Sequence, residues 1–141
     1  MKRTLLAACL VLPFAALPAA AAVLHFHATL VAASEVPPNP TSGKGSADAT
    51  LDTASGKLDY TVTWSGLTGP STMAHFHGPA PVGKNAGVQI NLGMSPVSPL
   101  HGTATLTPDE ITEIENGQMY VNVHTEAHKG GEIRGQVMPA T

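Results

Sequence analysis

Lys57-Leu58-Asp59-Tyr60-Thr61-Val62-Thr63-Trp64 (KLDYTVTW) sets Leu58, Tyr60, Val62 and Trp64 against Lys57, Asp59, Thr61 and Thr63 in strict alternation. Side chains of a strand point to opposite faces in turn, so a period of two makes one apolar face and one polar face. That pattern belongs to a strand covering a core on one side, as in antiparallel sheets. Working outward, the same alternation recurs along the chain. LHFHATLV (24–31) opposes Leu24, Phe26, Ala28 and Leu30 to His25, His27 and Thr29, and SADATLD (46–52) opposes Ala47, Ala49 and Leu51 to Ser46, Asp48, Thr50 and Asp52. Later runs are TMAHFH, GVQINL, HGTATL, QMYVNVH and EIRGQVM.

Turn residues separate these runs. Ala54-Ser55-Gly56 suits a hairpin connection, Gly66 to Pro70 a loop, and the Pro-rich stretch Val36 to Pro40 cannot lie in a central strand. One segment departs from the pattern. Thr107-Pro108-Asp109-Glu110 supplies a capping Thr, a first-turn Pro and a Glu three residues after the cap, then Ile111 and Ile114 follow at helical spacing before Asn116-Gly117. The expectation is an all-β protein, an antiparallel β-sandwich or Greek-key barrel of about eight strands with one short helix.

The start of the chain has a different character. MKRTLLAACLVLPFAALPAAAA has a basic beginning (Lys2, Arg3), an apolar stretch and a small-residue run ending near Ala22, the pattern of a secretory signal peptide. The domain is therefore expected at 23–141 after a signal at 1–22, with an exported, periplasmic or extracellular destination. Leu6-Ala7-Ala8-Cys9 resembles a lipoprotein box, but the apolar run before it is short and continues past the cysteine. No later stretch approaches the roughly 18 apolar residues of a membrane helix.

About 119 residues past Ala22 suffice for one domain with its own core. Cys9 is the single cysteine, so the expected mature chain has no disulfide and no thiolate ligand. Without Lys2 and Arg3, five of the seven basic residues remain against ten acidic ones. Such a balance offers no basic patch for nucleic acid.

Seven histidines stand out in a chain where only 12% of residues are charged. Two His-x-His pairs, His25/His27 and His75/His77, lie on predicted strands. By parity His25 and His27 face away from the apolar set; His75 and His77 oppose Ala74 and Phe76; and Tyr120, Asn122 and His124 oppose Met119, Val121 and Val123. Imidazoles two residues apart on a strand sit ~7 Å apart on one side, within reach of a shared ion. The expected ligands are His75, His77 and His124, with His25, His27 and His128 as secondary ligands or a second site. Imidazole-rich ligation without thiolate suits copper first, with zinc or nickel possible. Cleavage after Ala22 would also expose Val23-Leu24-His25, a free amine with histidine third, which can wrap copper(II) or nickel(II) in a square-planar set of nitrogens.

Other chemistry finds little footing. No nucleophile elbow presents a serine, Asp109, Glu110, Glu113 and Glu115 suit a solvated helix face, and Gly83 to Gly87 lacks phosphate-binding spacing. Glu132 and Arg134 share an outward parity expected to serve structure, and Asn122 is expected either to orient an imidazole or to be a polar residue of the sheet surface.

Several motifs together resemble one family. Ser34-Glu35-Val36-Pro37-Pro38, Ala74-His75-Phe76-His77-Gly78-Pro79-Ala80, Tyr120-Val121-Asn122-Val123-His124-Thr125 and Gly130-Gly131-Glu132-Ile133-Arg134-Gly135-Gln136 are similar to the CHRD domain, named from chordin. The resemblance implies a compact all-β domain and no general catalytic reaction. His75, His77 and His124 fall where the family pattern has histidine, whereas His25, His27, His101 and His128 do not. A looser likeness links the His-x-His strand to copper–zinc superoxide dismutases, but their bridging histidine, zinc-loop aspartate and disulfide have no counterpart here. Three functions follow as expectations. The first is an exported copper-binding protein for periplasmic metal storage, delivery or resistance. The others are a module binding a protein or matrix partner without metal, and a copper-dependent dismutase-like enzyme.

Overall fold

The computed structural model describes residues 21–140. Nearly all of the expected signal segment, with Lys2, Arg3 and Cys9, lies outside the described residues. Eight strands follow in chain order: β1 (Val23–Val31), β2 (Lys44–Asp52), β3 (Lys57–Ser65), β4 (Ser71–His77), β5 (Val88–Met94), β6 (Leu100–Thr105), β7 (Met119–Thr125) and β8 (Ile133–Pro139). One helix, α1 (Pro108–Glu115), joins β6 to β7, and a single 3-10 turn spans Ala32–Ser34.

All eight strands belong to one antiparallel sheet in the order β5-β4-β7-β8-β1-β2-β3-β6. The sheet curls into a nearly closed barrel. Tyr60 on β3 and Phe76 on β4 lie near opposite ends of that order, yet their rings meet edge to face at 5.5 Å across the interior.

Alternation set the inward side as the sequence predicts. Phe26, Ala28 and Leu30, Ala47, Ala49 and Leu51, Leu58 and Val62, and Ala74 and Phe76 are buried together with Met119, Val121, Val123, Ile133 and Val137. Alanines facing larger side chains let a small barrel fill its interior without a channel. Fully burying a side chain such as Leu or Phe contributes about 1.5–3 kcal/mol, so this core is the main support of the fold. Gly135 brings β8 close to β1: a Cβ there would lie 2.3 Å from the Thr29 carbonyl oxygen.

The helix begins as expected. Thr107 Oγ1 accepts from the Glu110 amide at 3.3 Å, and Glu110 Oε2 accepts from the Thr107 amide at 2.7 Å. Ile114 is fully buried and Ile111 packs against the core. No helix among the described residues is long and apolar enough to cross a membrane.

The outer surface of the barrel has two different halves. On β1, β2, β3 and β6 the outward side chains meet solvent or are half-covered. Every residue of β7 is buried, inward and outward alike, and β4 is buried on both faces from Ala74 to His77. The cover comes from residues 78–87, 126–132 and 32–41, which fold back over the strands. The outward parity of Glu132 and Arg134 holds, but their exposures are 0% and 2%.

Candidate metal centre

Beneath that cover lie the central histidines. β4 and β7 are paired so that Met73 faces His124, His75 faces Asn122 and His77 faces Tyr120. His75 and His77 are therefore two residues apart on one strand, with His124 diagonally across on the next. One ring nitrogen from each lies within 4.8 Å of the others, the only such group of three or more candidate ligands among the described residues. Their exposures are 7%, 8% and 6%. The outward parity predicted for them is correct, whereas the open surface it implied is not, because the loops after β4 and β7 close over them.

Those loops also orient the rings. The Lys129 carbonyl lies 2.9 Å from His124 Nδ1, and the Ala86 carbonyl lies 3.1 Å from His77 Nδ1. A carbonyl only accepts, so His124 Nδ1 carries the hydrogen and its Nε2 a lone pair. His77 meets an acceptor at each nitrogen, the Ala86 carbonyl at Nδ1 and Asn122 Oδ1 at Nε2, and as a neutral ring donates to one of the two. Such a backbone acceptor behind the ring is the usual support of a metal-binding histidine. His124 Nε2 lies 3.0 Å from His75 Nδ1, and His77 Nε2 lies 3.0 Å from Oδ1 of Asn122. Asn122 thus occupies the ring-orienting position that was one of its two expected roles.

Burial disfavours charge on these rings. It pushes His75 down to about 4, assisted by the neighbouring His124 and His77. Burial likewise lowers His77 and His124, against the opposing effect of their carbonyl partners. Three neutral imidazoles at neutral pH are three available nitrogen ligands.

Around the triad runs a polar frame that sequence patterning did not reveal. The Tyr120 ring stacks on His77 with centroids 4.7 Å apart and planes 2° from parallel. The Arg134 guanidinium lies 3.4 Å from the centroid of the same Tyr120 ring. It also donates to Asn85 Oδ1 at 2.8 Å and to the Lys84 carbonyl at 2.6 Å, pinning the loop after β4. Tyr120 adds a hydroxyl that donates to the Ala86 carbonyl at 3.3 Å. Glu132 accepts from the Thr125 hydroxyl at 2.6 Å and from the Thr68 hydroxyl and amide at 2.7 and 2.8 Å. Burial would raise its pKa, but those bonds outweigh burial and hold the carboxyl below its ordinary range.

Glu35 is the exception in this frame. It is 5% exposed, its Oε1 has no hydrogen-bond partner, and burial pushes it up to about 7 despite the nearby Arg134 charge. Gly131, at φ 128°, leaves room for it: a Cβ there would lie 2.3 Å from Glu35 Oε1 and 2.8 Å from Asn122 Nδ2.

The motifs that are distant in sequence therefore converge on one side of the barrel. The CHRD domain family model matches residues 26–137. The chain belongs to the CHRD domain family. Comparison with curated proteins and with solved structures gives no match. In this CHRD domain the EVPP segment contributes Glu35, the AHFHGPA segment His75 and His77, and YVNVHT Tyr120, Asn122 and His124. GGEIRGQ contributes Gly131, Glu132 and Arg134.

The remaining predicted ligands lie elsewhere. His25 and His27 are exposed on β1, on the uncovered half of the barrel, as their parity predicts. His128 sits half-buried in the turn after β7, where its backbone bonds to Thr125. The structure brings none of the three into the central group. Val23 to His25 already belong to the ladder with β2, pairing with Asp52, Leu51 and Thr50. A chelate wrapped by their backbone amides requires that end of the ladder to open.

Proposed function

We propose that this CHRD domain is an exported copper-binding protein that holds the ion through His75, His77 and His124, in storage, delivery or resistance. The observation that carries the reading is the convergence of three buried ring nitrogens within 4.8 Å, two of the rings tied at Nδ1 to loop carbonyls. The donor set fits the group. Three neutral nitrogens without thiolate suit copper, nickel or zinc, and the general affinity order puts copper(II) highest. His77 Nε2 reaches an ion once the Asn122 amide turns aside, and His124 Nε2 once its contact with His75 Nδ1 opens. Copper bound there would supply a Lewis-acidic, redox-capable ion, and the loops would limit its contact with water.

A second reading rests on the 3.0 Å contact between His75 and His124, which satisfies both rings without an ion. In it the histidines pin loops that present a surface to a protein or matrix partner. One titration separates the two. Copper(I), copper(II) and zinc are added to the wild type, to His75→Gln and to His75→Ala/His77→Ala/His124→Ala, with circular dichroism reporting the fold. Sub-micromolar copper binding that the folded variants lose supports the metal centre, and a dismutation assay on the loaded protein then tests turnover. A wild type that takes up no metal leaves the interaction module.

A further inference from the structure

Three of the four histidines outside the covered centre share one face of the barrel. His25 and His27 on β1 and His101 on β6 all point outward from the uncovered half. Register explains their surroundings: His25 faces Thr50, His27 faces Asp48, and His101 faces Thr61. Each ring turns its Nδ1 toward that partner. His25 Nδ1 lies 3.3 Å from Thr50 Oγ1, His27 Nδ1 2.8 Å from Asp48 Oδ1, and His101 Nδ1 2.9 Å from Thr61 Oγ1. A cavity of about 600 Å³ on this face has His25, Asp48, Thr50, Asp59, Thr61 and His101 among its lining residues.

The His27–Asp48 pair fixes a tautomer. An ionised carboxylate only accepts, so Nδ1 of His27 carries the hydrogen and Nε2 keeps its lone pair. A carboxylate behind an imidazole also raises its basicity toward a metal. His25, two residues away on the same strand, stands ~7 Å along the same face with its own Nδ1 engaged by Thr50. His27 Nε2 lies 3.4 Å from Thr29 Oγ1, a long and exposed contact that an ion at that nitrogen would displace.

We propose that His25 and His27, with Asp48 behind His27, form a second, solvent-exposed site for a divalent transition-metal ion. The two Nε2 atoms are the protein ligands and water completes the coordination. This site is independent of the buried triad. It lies on other strands, needs no loop to move and keeps its ion in contact with solvent, which suits rapid, weaker capture.

Zinc is the probe of choice, because it lacks the square-planar preference of copper(II) and nickel(II) that would favour an amide-wrapped terminal chelate. Zinc is titrated by calorimetry into the full mature chain, with histidine Cε1–H resonances followed by NMR. Wild type is compared with His25→Ala/His27→Ala and with Asp48→Asn, all substitutions at exposed positions. The expected result is one equivalent lost in the double variant, an affinity about 10-fold weaker in Asp48→Asn, and zinc-induced shifts at His25 and His27. That equivalent also persists in a folded His75→Ala/His77→Ala/His124→Ala protein, so loss of the buried centre leaves it untouched. Unchanged zinc stoichiometry and affinity in His25→Ala/His27→Ala overturns the site. Unchanged affinity in Asp48→Asn removes Asp48 from it.

Discussion

The two His-x-His pairs are close to identical as local sequence and opposite as environments. His25-Phe26-His27 and His75-Phe76-His77 each place a phenylalanine in the barrel core between two outward histidines. On β1 those histidines stand in solvent; on β4 they lie at 7% and 8% exposure. The strand decides which way a side chain points, and the loops decide what it meets there. Covering three imidazoles costs desolvation, which the covered half offsets with ring stacking and loop hydrogen bonds, whereas the bare half leaves its rings in solvent.

Breaking the cover has the largest expected effect. Arg134→Ala removes a buried guanidinium that stacks on Tyr120 and bonds Asn85 and the Lys84 carbonyl. Urea unfolding should show a loss of about 3–5 kcal/mol, typical of a broken buried polar network.

Acid should come next and act on the covered half. With His75 lowered from 6.5 to about 4, the folded protein binds fewer protons there than the unfolded chain. The stability it has above pH 6.5 is therefore lost progressively as pH falls toward 4. Glu35 works in the other direction. Its pKa is raised from 4.5 to about 7, so its contribution is full below 4.5 and declines as pH rises to 7. Melting temperatures of the metal-free protein from pH 4 to 8 test both, and Glu35→Gln should gain on wild type toward pH 8.

Tyr120→Phe keeps the ring stack and deletes the hydroxyl that reaches Ala86. It should cost about 1 kcal/mol and speed amide exchange in residues 78–87 while β7 stays protected. The smallest effect belongs to the bare half. His27→Ala breaks only exposed contacts, with Asp48 and Thr29, and denaturation should register a change within about 0.5 kcal/mol. A larger loss there would erase the contrast between the halves.

The fold was open to sequence reading because each strand carries its own record. KLDYTVTW became β3 with Leu58 and Val62 inside, and the Thr107–Glu110 box became the start of α1. The candidate centre was only partly open. Parity put His75, His77 and His124 on the outward side, and β4–β7 register brought them together. Burial of that side depends on residues 78–87 and 126–132, whose contribution is largely backbone: the carbonyls of Ala86 and Lys129 can belong to any side chain. The burial of Glu132 and Arg134 escaped the sequence for the same reason, since alternation along β8 knows nothing of a loop from elsewhere in the chain. Glu35 left no periodic trace, lying in a proline-rich connection.

The middle of the sheet pairs β1 with β8, the first strand with the last, and Val31 is matched to Arg134. A chain made from its N-terminus holds His75 and His77 long before it holds their neighbours. His124, the Lys129 carbonyl and Arg134 all arrive with the final stretch, and contacts so remote in sequence form slowly. Until β8 is in place the loop after β4 lacks the guanidinium that anchors it, and β1 has one edge open. The covered centre thus takes its shape only once residues 124–134 have been made and β8 has docked between β1 and β7.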